Sequence, residues 1–334
     1  MTTLVAEFLL QSLTIIVAGT FLAKFADALG DRLGLGRTLA GMLLMGIATS
    51  LPELVVGCSA AMIDAPDLAV GDLLGSCVFN LFLLAVLDLV YRSGGKLFSH
   101  EAAAHGLSAA SVILLTGIVL LFIQLPESIE LGPIGLGSVM LGLAYMGCAR
   151  MIFYDQRYQL ANAQPAESDD PLANQPPQMK LVPALLGYLA LTGVVFVAAW
   201  YLTHTADEIV KQTGLGSSIV GTILLAGVTS LPEITTTRAA LRIGAFDLAV
   251  GNIFGSNSFN IVILIFVDGF YHGPLFSSIG SYHAITCAAI IIITSVALLG
   301  LLFQAERRLW LLEYDAALIA ILSLGSFILI GLMH

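Results

Sequence analysis

The sequence predicts an all-α membrane protein of ten transmembrane helices, arranged as two inverted five-helix repeats. Three observations support this prediction: the composition, ten long apolar segments and an internal repeat. Of the 334 residues, 58% are hydrophobic and only 11% are charged, and the mean hydropathy is +0.95. Soluble domains contain about 25% charged residues, so a soluble chain of this composition could not cover its surface with polar groups.

Charge and cysteine content exclude other classes of protein. The net charge of −10 argues against nucleic-acid binding, because it repels phosphate and no basic patch is present. The cysteines lie in apolar segments without paired spacing, so neither a disulfide framework nor a zinc site is expected. They are Cys58, Cys77, Cys148 and Cys287.

Each apolar segment has about the 20 residues that a helix needs to cross the hydrocarbon of a bilayer. Helices are expected because only helices and closed barrels satisfy the backbone in lipid. The segments are centred near residues 15, 50, 80, 114, 142, 191, 230, 260, 290 and 321. The first, residues 4–28, follows no basic residue and carries Glu7, which indicates a retained span rather than a cleaved signal peptide.

The basic residues predict the orientation. Twelve of the thirteen follow odd-numbered spans, and only Lys211 lies on the other side. The twelve are Lys24, Arg32, Arg37, Arg92, Lys96, Arg150, Arg157, Lys180, Arg238, Arg242, Arg307 and Arg308. Because cytoplasmic loops carry the excess of Lys and Arg, both termini of this multi-pass protein are expected outside the cytoplasm, in the cell (cytoplasmic or inner) membrane.

One polar segment divides the chain. Residues 154–180 are rich in Gln, Asn, Pro and Asp, a composition that cannot bury a core. We expect a flexible cytoplasmic linker here. It separates a first five-span repeat, residues 1–153, from a second, residues 181–334.

The two halves align with each other at an offset of 180 residues. Between 41–80 and 221–260, 19 of the 40 positions are identical without a gap. Five is an odd number of crossings, so the halves must enter the membrane in opposite directions. Inverted repeats with a site at the midplane are typical of secondary transporters.

Two glutamates, Glu53 and Glu233, lie at equivalent positions near the middle of apolar spans. A carboxylate in hydrocarbon is costly, so each is expected to face a cavity or a partner and to be functional. Pro52 and Pro232 precede them, and a proline inside a helix removes a hydrogen bond and kinks or unwinds the helix. We therefore expect freed carbonyl oxygens in the turn before each proline.

Hydroxyl and amide groups accompany both glutamates. Hydroxyls lie four and three residues before each glutamate, on the same helix face: Thr49, Ser50, Thr229 and Ser230. In the next span of each half, polar residues at every fourth position form a stripe: Asp72, Ser76 and Asn80, then Asn252, Ser256 and Asn260. Matched sets of oxygen donors favour a cation site over isolated interhelical hydrogen bonds.

The chemistry of the donors restricts the cation. Calcium takes six to eight oxygen ligands in flexible geometry, and sodium accepts similar oxygens, so one site could hold either ion. Magnesium prefers stricter octahedral geometry and keeps its water, which makes it a weaker candidate. The two glutamates supply a charge of −2, which one Ca²⁺ would neutralise.

The repeated motifs resemble those of the cation/calcium antiporter superfamily, specifically its prokaryotic sodium/calcium exchanger branch. They are ATSLPE at 48–53 with GDLLGSCVFN at 71–80, and VTSLPE at 228–233 with GNIFGSNSFN at 251–260. They look like the two α-repeats of that family, at about 41–80 and 221–260. The family's ten-span plan covers the whole chain.

The resemblance implies the ligands and the mechanism. Glu53 and Glu233 would be the central calcium ligands. Side-chain and main-chain oxygens would complete the calcium and sodium sites, from Gly46, Thr49, Ser50, Ser76, Asn80, Ala226, Thr229, Ser230, Ser256 and Asn260. The first and sixth spans would slide against the other eight to give alternating access.

The chain departs from the family pattern at several positions. Ala48 and Val228 replace a glycine, and Gly46 stands where alanine is common. Asn260 occupies a position that is Asp in potassium-dependent exchangers, which argues against potassium co-transport. Asp72 replaces an Asn and joins the candidate set, either as a neutral structural group or as one that brings a proton or another cation into the cycle.

The leading hypothesis is a Na⁺/Ca²⁺ antiporter, not an enzyme, that extrudes Ca²⁺ using the sodium gradient. Its expected partners are the transported Ca²⁺ and Na⁺ and the lipid bilayer, with no organic cofactor, nucleic acid or protein partner. The alternative is a divalent cation antiporter driven by H⁺. An intramembrane hydrolase lacks a His-Glu motif or a Ser-Lys pair, and a channel does not explain the inverted repeats.

Two further groups of polar residues receive weaker predictions. Asp88 and Asp268 lie near span ends and are expected to face water. The six histidines lie in or near predicted loops without metal-ligand spacing, and they are weak candidates for pH sensing.

Overall fold

The computed structural model describes nine stretches of the chain, residues 2–33, 40–62, 64–90, 105–125, 130–131, 134–162, 179–213, 226–302 and 314–333. The first half contains α1 (Thr2–Leu33), a π-helical turn (Ala40–Met45), α2 (Gly46–Thr49), α3 (Leu51–Met62), α4 (Pro66–Val90), α5 (Gly106–Ile123) and α6 (Leu136–Asn162). A short antiparallel hairpin, β1 (Glu130–Leu131) and β2 (Ile134–Gly135), precedes α6. The second half contains α7 (Leu181–Thr213), α8 (226–229), α9 (Leu231–Arg242), α10 (Phe246–Phe270), α11 (Leu275–Ser278), α12 (His283–Leu302) and α13 (Tyr314–Met333).

The fold is that of a helical multi-pass membrane protein. Seven helices of the described chain are long and apolar enough to cross a bilayer: α1, α4, α5, α6, α7, α10 and α12. Ala40–Thr49 and α3 together form an eighth candidate, bent by 46°. The apolar part of α13 is shorter, and residues 214–225 before α8 lie outside the described chain. The predicted count of ten therefore stays a prediction.

The helices α4 and α10 form the centre of the fold. In their apolar windows 72% and 83% of the residues are buried, against 17% in α1 and α7. A helix that is apolar on all sides is buried by its neighbours, and α4 and α10 pack against each other and against α3. At the periphery α1 packs along α7 and also against α9.

Equivalent positions of the two halves share backbone conformation and touch one another. Asp64 and Gly244 are 180 residues apart, and both have a positive φ, of 61° and 74°. Asn257 donates from Nδ2 to the carbonyl of its own equivalent, Cys77, at 3.2 Å, and the Cys77 thiol donates to the Asn257 carbonyl at 3.7 Å. Contact between equivalent residues is expected wherever two halves are related by a pseudo-two-fold axis, so the predicted inverted arrangement stays a prediction that this contact fits.

Two aspartates predicted to face water are buried instead, and that prediction was wrong. Asp268 is buried because its carboxylate accepts the backbone N–H of Gly135 in the hairpin, at 2.7 Å. It also accepts the N–H of Leu275 at 3.4 Å. Asp88, its equivalent in the first half, is also buried.

Two of the histidines placed in or near loops belong to the helix packing. His105 is buried, and its Nε2 lies 3.1 Å from Oδ1 of Asp247 in the first turn of α10. His283 is also buried, and its Nε2 lies 3.1 Å from Oδ1 of Asp67 in the first turn of α4. Because Asp67 and Asp247 are equivalent, each half provides one aspartate and one histidine to these two pairs.

The helical part of the chain also extends into the predicted linker. Tyr154 to Asn162 belong to α6, so the linker does not begin at Tyr154. Cation–aromatic contacts one helical turn apart stabilise this extension: Arg150 stacks over Tyr154 and Arg157 over Phe153. The remaining part of the prediction, 163–178, lies outside the described residues.

Candidate cation site

Each of the two glutamates follows a break in its helix, as the prolines predict. The break falls at Ser50 in the first half and at Ser230 in the second, immediately before α3 and α9. A proline in the second position of the new helix has no N–H to donate, so the preceding turn cannot continue unbroken. The result places each glutamate in the first turn of a helix that begins inside the protein.

The carbonyls before the breaks are less free than expected. The Gly46 carbonyl accepts the N–H of Ser50 at 3.2 Å, and the Ala226 carbonyl accepts the N–H of Ser230 at 3.1 Å. Both carbonyls therefore keep a helical hydrogen bond. The second lone pair of each carbonyl accepts a hydroxyl, from Ser256 at Gly46 and from Thr229 at Ala226.

All thirteen candidate residues are buried. The structure brings the first repeat onto the second around Glu233, whose Oε1 accepts a hydrogen bond from the Ser50 hydroxyl at 3.3 Å. The hydroxyls of Thr49 and Ser256 also face Glu233. The complete set is Gly46, Thr49, Ser50, Glu53, Asp72, Ser76, Asn80, Ala226, Thr229, Ser230, Glu233, Ser256 and Asn260.

We call Gly46, Thr49 and Ser256 the first half-site. The Thr49 hydroxyl lies 3.1 Å from the Ser256 hydroxyl, and Ser256 donates to the Gly46 carbonyl at 3.4 Å. The backbones are also in close contact, because a methyl group added to Gly46 would lie 2.8 Å from the carbonyl carbon of Gly255. The first half-site is therefore closed by hydrogen bonds among its own members.

The equivalent residues, Ala226, Thr229 and Ser76, form the second half-site. The Thr229 hydroxyl donates to the Ala226 carbonyl at 3.2 Å. Ser76 differs from its equivalent Ser256, because its hydroxyl has no hydrogen-bond partner among the described residues. Within the described chain the approach is also looser, since a methyl group on Gly75 would lie at an ordinary 3.8 Å from Cβ of Ala226.

Many buried oxygens of the cluster lack a hydrogen-bond partner within the described chain. They are both carboxylate oxygens of Glu53 and of Asp72, Oε2 of Glu233, the hydroxyls of Ser76 and Ser230, and Oδ1 of Asn80 and of Asn260. Buried polar groups are normally paired, because an unpaired one costs about 1–3 kcal/mol. Cations coordinated by these oxygens would supply the missing interactions.

The oxygen groups of the cluster are the type of ligand that hard cations prefer. Among the residues described, no three side chains of His, Cys, Asp or Glu converge on one point. The oxygens around the two glutamates come instead from hydroxyl, amide and main-chain groups, which suit the alkali and alkaline-earth ions.

One residue of the site was missed by the sequence reasoning. Asn257 accepts a hydrogen bond from Nδ2 of Asn80 at 3.0 Å, which turns the Asn80 amide oxygen away from Asn257. The signal was present in the motif, because position 257 carries an amide where the first repeat has Cys77. The role of this amide follows only from the contact between the two halves, which the sequence alone does not show.

Comparison with known proteins identifies the class of transporter. The sequence profile of a family described as sodium/calcium exchanger protein matches residues 3–153 and 183–333. The chain belongs to the sodium/calcium exchanger family. This confirms the resemblance in the repeated motifs, and it makes the protein a membrane antiporter of the cation/calcium class.

Proteins from two organisms align with most of the chain. The inner membrane protein YrbG of Escherichia coli (strain K12) is 30% identical over 259 residues, which cover 76% of this chain and 75% of YrbG. Sodium/calcium exchanger MaX1 of Methanosarcina acetivorans is 23% identical over 293 residues, 79% of this chain and 82% of MaX1.

A solved exchanger has the same fold. The sodium–calcium exchanger NCX_Mj superposes with a TM-score of 0.71 and 20% sequence identity, over 98% of this chain and 99% of that protein. This exchanger therefore has the NCX_Mj membrane fold.

Proposed function

We propose that this exchanger carries Na⁺ in one direction and Ca²⁺ in the other by alternating access at a site between its two halves, near the bilayer midplane. Glu53 and Glu233 are the central ligands, and the remaining candidate residues complete the calcium and sodium positions. In the cell the sodium gradient drives Ca²⁺ out of the cytoplasm across the cytoplasmic membrane.

The observation that carries the proposal is the cluster of buried oxygens without partners around Glu53 and Glu233. Two carboxylates balance one Ca²⁺, and sodium ions use the same kinds of oxygen. Competition follows, because the two ions need overlapping ligands. An empty site with two charges is costly to move past an apolar barrier, so exchange is favoured over uncoupled leakage.

The two half-sites suggest how access alternates. One is closed and the other is looser, although they are built from equivalent residues. In an inverted repeat the roles of equivalent elements exchange when the protein opens to the other side. The peripheral pair α1 and α7 is the element that slides, because both helices expose most of their surface.

Calcium uptake into sodium-loaded proteoliposomes tests the proposal. Wild-type protein takes up ⁴⁵Ca²⁺ only with an outward sodium gradient. Glu53→Gln and Glu233→Gln each abolish the uptake, because they remove half of the central charge. Glu7→Gln is the matched control, since it makes the same chemical change at an exposed residue of α1 and keeps the wild-type rate.

Two results would contradict the proposal. Sodium-dependent uptake by either central variant would remove that glutamate from the ligand set. Calcium uptake by wild type that needs no sodium and follows a proton gradient would identify an H⁺-coupled divalent cation antiporter instead.

A further inference from the structure

One pair of equivalent polar residues has different hydrogen bonds in the two halves. Asn252 on α10 donates from Nδ2 to the hydroxyls of Thr236 and Thr237, at 3.2 and 2.8 Å. Its equivalent on α4 is Asp72, which is buried and whose two carboxylate oxygens have no hydrogen-bond partner among the described residues. The Asn252 amide is thus hydrogen-bonded to hydroxyls of its own half, and the Asp72 carboxylate has no such bonds.

The sequence explains this difference. The positions equivalent to Thr236 and Thr237 are occupied by Val56 and Gly57. The first half therefore offers no hydroxyl where the second half offers two. An asparagine at position 72 would lack the partners that hold Asn252, and Asp72 faces Thr229 of the opposite half instead.

Asp72 lies against the second half-site. It precedes Ser76 by one helical turn on α4, so both side chains point to the same face of the helix. The Thr229 hydroxyl faces Asp72 and bonds the Ala226 carbonyl, so oxygens of both halves accompany the carboxylate. The equivalent position in the first half-site has no such carboxylate, and its hydroxyls bond each other.

Asp72 is a third carboxylate near the two central glutamates. Asp72 interacts electrostatically with Glu53. The three carboxylates do not converge on one point within the described chain, so a single divalent ion does not use all of them. One carboxylate with neutral hydroxyl and carbonyl oxygens matches the charge of a monovalent ion.

We infer that Asp72 is an anionic ligand of the second half-site, which holds a sodium ion there together with Ser76 and Thr229. This inference rests on the proposed exchange of Na⁺ for Ca²⁺ and assigns one ion position within it. Asp72 sets the affinity for sodium and leaves the calcium position to Glu53 and Glu233.

Displacement of bound ⁴⁵Ca²⁺ by Na⁺ from the purified protein tests the inference. The decisive variant is Asp72→Asn, which gives α4 the residue that α10 has at position 252. We expect its calcium Kd without sodium to stay within about twofold of wild type. The sodium concentration for half-displacement rises about tenfold and the displacement curve becomes less steep, because one charge–charge attraction is lost.

Two further variants serve as controls. Asp64→Asn makes the same change at an exposed turn residue whose positive φ asparagine accepts, and it displaces calcium as wild type does. Asp72→Glu keeps the charge, so its half-displacing sodium concentration stays within about threefold of wild type. It also keeps the test open if the asparagine variant does not fold.

Each outcome is decisive. If sodium displaced calcium from Asp72→Asn at the wild-type concentration, the inference would be overturned. A tenfold loss of calcium affinity in the absence of sodium would also overturn it, because Asp72 would then be a calcium ligand. If the half-displacing sodium concentration rose tenfold in Asp72→Glu as well, the charge of Asp72 would not be what binds sodium, and the inference would be overturned. If wild type itself binds no calcium, or sodium does not displace it, the proposed function fails rather than the role of Asp72.

Discussion

Glu53 and Glu233 occupy equivalent positions, yet their carboxylates have different neighbours. Glu233 accepts the Ser50 hydroxyl, whereas neither oxygen of Glu53 has a partner among the described residues. A buried carboxylate without donors depends on a cation for compensation. In the proposed site, Glu53 is therefore the carboxylate whose interaction with an ion is least replaced by protein contacts.

Thermal unfolding with and without calcium tests this dependence. A ligand that binds only the folded protein stabilises it, by about 2.7 kcal/mol at 100 times its Kd. Wild type should gain several degrees in unfolding temperature when Ca²⁺ is added, and Glu53→Gln should gain almost nothing. Glu7→Gln serves as the control and should gain as much as wild type. An equal gain in Glu53→Gln would show that calcium binds elsewhere.

The repeat marks the residues of the candidate site, but it does not predict all of their interactions. Matched positions such as Glu53 and Glu233 are visible in one sequence because they recur at a fixed offset. Asn257 differs from its equivalent Cys77, so the repeat does not mark it. Its hydrogen bond to Asn80 joins residues that are 177 positions apart, and no local pattern predicts such a contact.

At the scale of elements, glycines determine how closely the broken helices approach the central ones. A methyl group on Gly255 would lie 2.5 Å from Cα of Met42, so the π-helical turn packs directly on the backbone of α10. In the other half, a methyl group on Gly75 meets Cβ of Ala226 at 3.8 Å among the described residues, which do not include Thr222, the equivalent of Met42. The half with the closer backbone contact has the smaller residue, Gly46, and the other half has Ala226 at the equivalent position.

Alanine substitutions at these two glycines should therefore have unequal effects. Gly255→Ala forces two backbones apart, and overpacking of this kind costs about 1–3 kcal/mol. Gly75→Ala meets ordinary van der Waals contact and should change stability by less than about 1 kcal/mol. The unfolding temperatures of the two variants in the same detergent measure the difference. Equal losses would show that the two contacts are equally close in solution.

Element boundaries were predictable where proline or hydrophobic length decides them. The breaks before Pro52 and Pro232 are confirmed, since a missing N–H interrupts a helix in any context. The extension of α6 to Asn162 was missed because it depends on side-chain pairs within a polar segment. The burial of Asp268 was missed because its donor belongs to a hairpin far away in the sequence.

At the scale of the whole molecule, the account requires two halves of opposite orientation. The contact between Cys77 and Asn257 and the paired turns at Asp64 and Gly244 are features that a pseudo-two-fold relation between the halves would produce. The Arg32 side chain donates to the carbonyl of Met179 at 2.8 Å, so the end of α1 and the start of α7 lie together, as the predicted loop assignment requires.

Cysteine labelling of intact cells tests the orientation. Met62 and Arg242 are equivalent, exposed residues at the ends of α3 and α9. We predict that Met62→Cys reacts with a membrane-impermeant maleimide from outside, and Arg242→Cys only after permeabilisation. The four native cysteines are buried, which keeps the background low. Labelling of both positions from the same side would contradict the inverted arrangement.

The central claim is that one site couples the two ion fluxes, and a dual-isotope experiment measures this coupling directly. Vesicles containing the exchanger are loaded with ²²Na⁺ and diluted into medium with or without ⁴⁵Ca²⁺. The account predicts that calcium entry and sodium exit occur together, with a fixed ratio, and that each flux stops when the other ion is removed. Calcium entry that continues at full rate in sodium-free vesicles would contradict it.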